Sequence, residues 1–295
     1  MFTQILLTAA ALTADPAVAF QAPTRFIVGG GYRVSVSIDV PADGAAVPGW
    51  MLSPAAFTLD GKPLAARAKA TDLELAPGAE LQLSFDLGPM LAEAAGEKTS
   101  FELGLPGAAP LEVQAVKAAP AGLDFMSMPV EDLSNYQVIM TTTEGDLVLE
   151  FWPDAAPGHV RNYLDLCYTK FYDGLTFHRV IPGFMIQGGD PDGNGTGSGP
   201  RQLKGEFSKD PKYKHQRGVL SMARSASPDS ASCQFFVMHQ AAPHLDGQYS
   251  AFGRCVEGME AVDAIVSTPR NMQTNKPNTT QRILQAVVIE AAQAQ

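Results

Sequence analysis

Between Tyr32 and Val40 the chain alternates without a break. Tyr32, Val34, Val36, Ile38 and Val40 are apolar, and Arg33, Ser35, Ser37 and Asp39 are polar. Successive side chains of a strand point to opposite faces, so this period of two predicts a half-buried strand. Leu81, Leu83, Phe85 and Leu87 repeat the pattern around Gln82, Ser84 and Asp86, and shorter versions stand at Phe101, Leu103, Leu105 and at Leu111, Val113. Turn-forming residues separate the runs: Pro41 to Gly44, Asp60-Gly61, Pro77-Gly78 and Pro106-Gly107. Residues 22–118 are therefore expected to form a β-sandwich, with an immunoglobulin-like arrangement as one candidate and a short helix over 89–95. Residues 119–135 contain Pro120 and Pro129 and no clean period, and read as a linker.

From 136 onward the pattern changes. Tyr136 to Thr142 and Asp146 to Phe151 read as two strands turned at Gly145. A helix follows from about Ala156, with Val160, Tyr163, Leu164 and Cys167 at i, i+3, i+4 and i+7 on one apolar face. Gly218 to Arg224 and Ser232 to Met238 read as further strands. In the second of these Gln234 and Phe236 share a face, while Phe235 and Val237 share the other. An amide beside a phenylalanine, near a strand that carries Arg179, suggests a groove with an apolar floor and polar rims.

Length and charge narrow the picture. A chain of 295 residues suggests two domains, and its net charge of −10 argues against a nucleic-acid partner or an anionic membrane surface. Residues 1–135 carry 7 basic and 15 acidic residues and neither His nor Cys, so histidine or cysteine chemistry belongs to the second half. There Cys167, Cys233 and Cys255 are read as packed thiols rather than a disulfide framework. Asp190, Asp192, Asn194 and Gly195 match positions 1, 3, 5 and 6 of a calcium loop, but position 12 is Arg201, a cation, so no metal is expected.

The phrase FYDGLTFHRVIPGFMIQGGDPDGNGTGSGP, followed in order by EF, HQRGVLSMAR, SASCQFF, LDG and AFGRCVEGMEAVD, resembles the cyclophilins, peptidyl-prolyl cis-trans isomerases. The resemblance covers residues 136–295. It implies a mostly β protein whose second domain is a closed eight-stranded antiparallel barrel capped by two helices, the second near 258–267, with a last strand near 282–290. It also implies Arg179 as the catalytic residue and Phe184, Met185, Phe236 and Leu245 as the lining of a proline pocket. Gln187 and Gln234 would flank the groove, and Ala223 and Arg224 would form the strand along which a peptide backbone pairs. His244 stands where relatives often carry Trp, and Tyr249 where many carry His. Amide rotation needs no proton abstraction, so His178 is expected to be packed and hydrogen-bonded rather than a base. The implied partners are proline-containing polypeptides, with no cofactor, no membrane span and a monomer as the default. The alternative reading is a module that grips proline segments without turnover and uses the N-terminal domain for docking.

Ile5 to Ala14 is a ten-residue apolar run followed by Ala17-Val18-Ala19, a small-x-small cleavage pattern, although Met1 to Gln4 lack a basic residue. Residues 1–19 therefore read as a signal peptide, and a periplasmic or secreted protein is expected. N-terminal sequencing of the exported protein should begin at Phe20; a mature chain that still carries Ile5 to Ala14 would rule out cleavage.

Overall fold

The computed structural model describes residues 16–23, 25–42, 45–65, 73–76 and 78–291. The chain divides into two compact units that meet in sequence between Val116 and Lys117. The apolar run of the expected signal lies outside the described residues, whereas Ala17 to Ala19 fall in the first strand.

The first unit holds β1 (Ala17–Gln21), β2 (Arg25–Ile27), β3 (Arg33–Asp39), β4 (Ala45–Val47), β5 (Thr58–Leu59), β6 (Lys62–Pro63), β7 (Leu73–Leu75) and β8 (Glu80–Asp86). The helix α1 (Gly88–Ala95) follows, then β9 (Ser100–Gly104) and β10 (Leu111–Val116). They form sheets in the orders β1-β3-β8 and β2-β10-β9-β5-β6, with β4 paired to β7. The period of two is realised: Val34, Val36 and Ile38 of β3 share one core with Phe26, Leu59, Phe101, Leu103 and Val113 of the second sheet. Two sheets face to face over one core make a sandwich. One pair, β2 with β10, is parallel. The breaker Asp60-Gly61 turns the β5–β6 hairpin with φ of 48° and 75°, the left-handed pair that a two-residue hairpin turn of type I′ demands.

In the second unit, β11 (Tyr136–Thr142), β12 (Gly145–Phe151) and α2 (Pro157–Tyr168) precede β13 (Arg179–Ile181), β14 (Met185–Gly188), β15 (Val219–Met222) and β16 (Phe235–Met238). Then come β17 (Ala251–Glu257), α3 (Met259–Ser267) and β18 (Ile283–Glu290). The eight strands make one curled antiparallel sheet in the order β13-β14-β16-β15-β17-β12-β11-β18. Residues just ahead of β13 link its two edges: Thr176 bridges both Asp190, beyond β14, and Arg282, at the head of β18. The predicted helix face is buried as expected at Val160, Tyr163, Leu164 and Cys167. Ala156 offers no capping side chain to α2, and Glu206 supplies one from 47 residues away. Its carboxylate accepts the amides of Gly158 (3.1 Å) and His159 (3.0 Å) and the Nδ1 of His159 (2.7 Å). Negative charge at a helix N-terminus is stabilising there.

The segment 119–135, expected to be a linker, is instead folded onto this unit. Phe125 and Leu133 are fully buried in its core, and Phe125 meets Tyr136 and Tyr168 edge-on at 5.1 and 5.4 Å. Arg161 donates two hydrogen bonds to the carbonyl of Met128, and Ala119 donates to Val288 at 2.7 Å. Its contacts recur at no regular spacing, which is why no period marks it. A fragment 117–295 should accordingly fold and melt cooperatively, and one that begins at Ser134 should be much less stable. Removing a buried Phe alone costs about 3–5 kcal/mol. Equal melting temperatures for the two fragments would show that 117–133 adds nothing.

Candidate functional site

Alternation along the inner strands builds the site. In β14, Ile186 points into the sheet's main core, while Met185 joins a second apolar cluster. In β16, Phe235 and Val237 enter the main core, and Phe236 and Met238 enter the second. That second cluster gathers Met185, Phe236 and Leu245, exposed by only 1, 5 and 6%, with the half-buried Phe184, Ala223 and Tyr249 against them. Every apolar residue that the resemblance assigns to the proline pocket is thus in one place. The cluster also contains Tyr213, Ala242 and Trp152, which the sequence did not single out.

Along its edge runs a chain of amides. The register sets Arg179 opposite Gln187 and Gln187 opposite Phe236. Arg179 Nη1 donates to Gln187 Oε1 (3.2 Å), and Gln187 Nε2 donates to Gln234 Oε1 (3.0 Å). Gln234 Nε2 in turn donates to the carbonyls of Gly195 (3.1 Å) and Gly197 (2.9 Å). Arginine has only donors and carbonyls have only lone pairs, so the chain can run in one sense alone. It holds the half-buried guanidinium in place. Burial lowers the pKa of Arg179, and nearby Tyr249 opposes that shift. Beside this chain a cavity of about 210 Å³ is lined by Gln187, Thr196, Ala223, Arg224, Ser230 and Gln234.

The rim is a stack. Phe236 lies between the ring of His215 (6.3 Å, nearly parallel) and that of Tyr249 (6.0 Å, edge-on), and the Arg224 guanidinium covers Tyr249 at 4.6 Å. Arg224 donates to the carbonyls of Gln248 and Ser225, so its side chain braces the wall. His244 packs on Phe184 at 5.7 Å. His215, also overlooked in the sequence, is buried under Phe236. Its Nδ1 contacts Asp246 and its Nε2 contacts Ser221, each at 3.0 Å. These partners are 31 and 6 residues away, with no local signal to join them.

The glycine-rich loop is held by its own backbone. Asp190 accepts from the amides of Asp192 (2.9 Å), Asn194 (3.0 Å) and Gly195, which occupies both carboxylate oxygens. Arg201 instead bonds Asn162 (2.8 Å) and Asp165 on α2. His178 is packed, as expected, but not hydrogen-bonded: neither ring nitrogen meets a partner among the described residues. All three cysteines are buried. Burial pushes the Cys233 thiol up to about 11 and that of Cys255 to about 12, so neither is a nucleophile near neutrality. Among the described residues no helix is long and apolar enough to cross a membrane.

Comparison with known proteins gives one family. The family model for cyclophilin type peptidyl-prolyl cis-trans isomerases matches residues 137–292, more than half of the chain. Peptidyl-prolyl cis-trans isomerase B of Bacillus subtilis is 49% identical over 111 residues, which cover 38% of this chain and 76% of that protein. A probable peptidyl-prolyl cis-trans isomerase of Brucella abortus is 46% identical over 140 residues, 43% of this chain and 70% of that protein. A crystal structure of a Cryptosporidium parvum cyclophilin type isomerase, in the presence of the dipeptide Ala-Pro, covers 52% of this chain and 99% of that one, with 33% identity and a TM-score of 0.49. Residues 1–136 lie outside the family match.

Two buried imidazoles set an acid response. Burial lowers the pKa of His178 and of His215 below the ordinary 6.5, in His215 against the pull of Asp246. The unfolded chain therefore binds protons at a higher pH than the folded one. Their contribution to stability is complete above pH 6.5 and falls as the pH drops below it. Melting temperatures at constant ionic strength should fall between pH 7.5 and 5.5, and His178→Phe should remove part of the slope. An unchanged slope in the variant would mean that this ring is solvated.

Proposed function

The chain belongs to the cyclophilin-type peptidyl-prolyl cis-trans isomerases, and from that premise we propose how its own residues accelerate X-Pro rotation. An X-Pro bond resists rotation by about 18–20 kcal/mol because the amide is resonance-stabilised, and uncatalysed exchange takes tens of seconds or longer. The transition state is a twisted amide. Its nitrogen recovers a basic lone pair, and no covalent bond is made or broken.

A donor that meets this nitrogen only in the twisted state lowers the barrier selectively. In this reading Arg179 is that donor, and the Gln187–Gln234 chain keeps its guanidinium from wandering. Met185, Phe236 and Leu245 hold the proline ring while the preceding segment rotates. The amide of Ala223 already donates to Gln234 at 2.9 Å, so the Ala223 carbonyl and the Arg224 amide are assigned to the peptide backbone. A 10⁵-fold acceleration needs about 7 kcal/mol, and one charge-assisted hydrogen bond supplies about 1.5–3. The apolar grip on the ring must provide the rest. The observation that carries the reading is the half-buried, tethered Arg179 at the edge of that apolar cluster. The substrates are proline-containing polypeptides, and export to the periplasm or beyond remains our proposal from the N-terminal apolar run.

Arg179→Ala should lower kcat/KM on X-Pro peptides at least tenfold, measured by NMR exchange or a protease-coupled assay, with circular dichroism and melting near those of the natural protein. Retention of more than about a tenth of the activity, a loss below about 1.4 kcal/mol, would remove arginine from the mechanism. A natural protein that binds these peptides without accelerating exchange would instead favour the non-catalytic alternative.

A further inference from the structure

The turn that delivers Phe184 to the proline pocket is tied down by a histidine outside that pocket. Between β13 and β14 the chain reads Ile181-Pro182-Gly183-Phe184, and the Phe184 amide closes the turn on the Ile181 carbonyl at 3.0 Å. Proline followed by a glycine at φ 77° is the type II pattern. The turn's own bond uses neither the Gly183 amide nor the Phe184 carbonyl. His239, at the end of β16, takes both: its Nδ1 accepts from Gly183 N–H at 3.0 Å, and its amide donates to the Phe184 carbonyl at 2.8 Å.

An amide N–H can only donate, so Nδ1 must present its lone pair, and the ring proton sits on Nε2. That nitrogen faces Asp263 of α3 at 3.4 Å. Asp263 is itself gripped by both Nη atoms of Arg217 at 2.8 Å each, and Arg217 Nη1 also donates to the His239 carbonyl at 3.0 Å. The ion pair thus selects the tautomer that the turn requires.

We propose that His239 is a positioning residue for the isomerase: through Nδ1 it holds the Gly183 amide and so keeps Phe184 against the proline ring. The inference rests on the isomerase reading above and on Phe184 lining the pocket, as the resemblance implies and as its packing against Met185, Phe236 and Leu245 supports. His239 touches no substrate, and its influence passes through the turn alone.

The asymmetry of the ring supplies the test. In His239→Asn the side-chain oxygen can stand near Nδ1 and keep the bond to Gly183. In His239→Gln the polar end reaches the place of Nε2, towards Asp263, and leaves Gly183 without its acceptor. On X-Pro peptides the Asn variant should keep KM within about twofold of the natural protein. The Gln variant should raise KM about fivefold, the worth of one net hydrogen bond, with kcat changed less. Hydrogen exchange of the Gly183 amide in the full-length protein gives a second readout, independent of turnover: protected in the natural and Asn forms, faster in Gln. Equal KM and equal exchange for Gln and the natural protein would overturn the proposal, as would an Asn variant as impaired as Gln. If the natural protein turned over no peptide, the isomerase reading would fail, and the exchange of Gly183 alone would decide whether His239 holds the turn.

Discussion

Strand β16 has no face to give to solvent, and in β14 only Gln187 is left partly exposed. Because side chains alternate, each strand divides its apolar residues between two clusters. Ile186, Phe235 and Val237 go inward and build the sheet's main core; Met185, Phe236 and Met238 go outward and build the floor of the groove. A slip of one residue in the β14–β16 register would exchange the two sets and bury Gln187 in the core. The stability of the fold and the integrity of the pocket therefore hang on the same pairing.

The polar edge follows from that register. Gln187 shares a face with Met185, which sets its amide at the border of the apolar floor, between Arg179 and Gln234. The sequence of donors and acceptors then leaves one orientation for each side chain, from a guanidinium at one end to two backbone carbonyls of the glycine-rich loop at the other. A similar economy governs the aromatic rim. Phe236 is fixed from below by His215 and at its edge by Tyr249, and Tyr249 is covered by Arg224. The groove is preorganised because its first layer of side chains is held by a second layer from other parts of the chain.

The sequence made much of this legible, and unevenly so. Long stretches with strict periods, such as Tyr32 to Val40 and the face of α2, were realised within a residue or two, because a repeated apolar spacing leaves few ways to bury that face. The family motif named Arg179, Phe184, Met185, Gln187, Gln234, Phe236 and Leu245, and the structure gathers them. It was less informative where partners are distant and local pattern is absent. Phe125 was assigned to a linker because its neighbours, Tyr136 and Tyr168, are 11 and 43 residues further on. Tyr213, His215 and Trp152 carried no local mark either. His178 was expected to be hydrogen-bonded, and among the described residues neither of its ring nitrogens meets a partner.

What the sequence by itself determined is the order of elements, the division of apolar and polar positions within each strand, and the residue types able to stabilise a twisted amide. These are properties of short windows, in which covalent spacing dictates which side chains share a face. Only the tertiary structure decided which faces meet: that Glu206 caps α2, that Asp190 closes its own loop, that His239 holds the turn before Phe184, and that 119–135 belongs to the second unit. Each of these is a hydrogen bond or a buried contact whose geometry depends on strand register and on the curl of the sheet. Such contacts form only when segments far apart in the chain are brought together, and no local spacing encodes them.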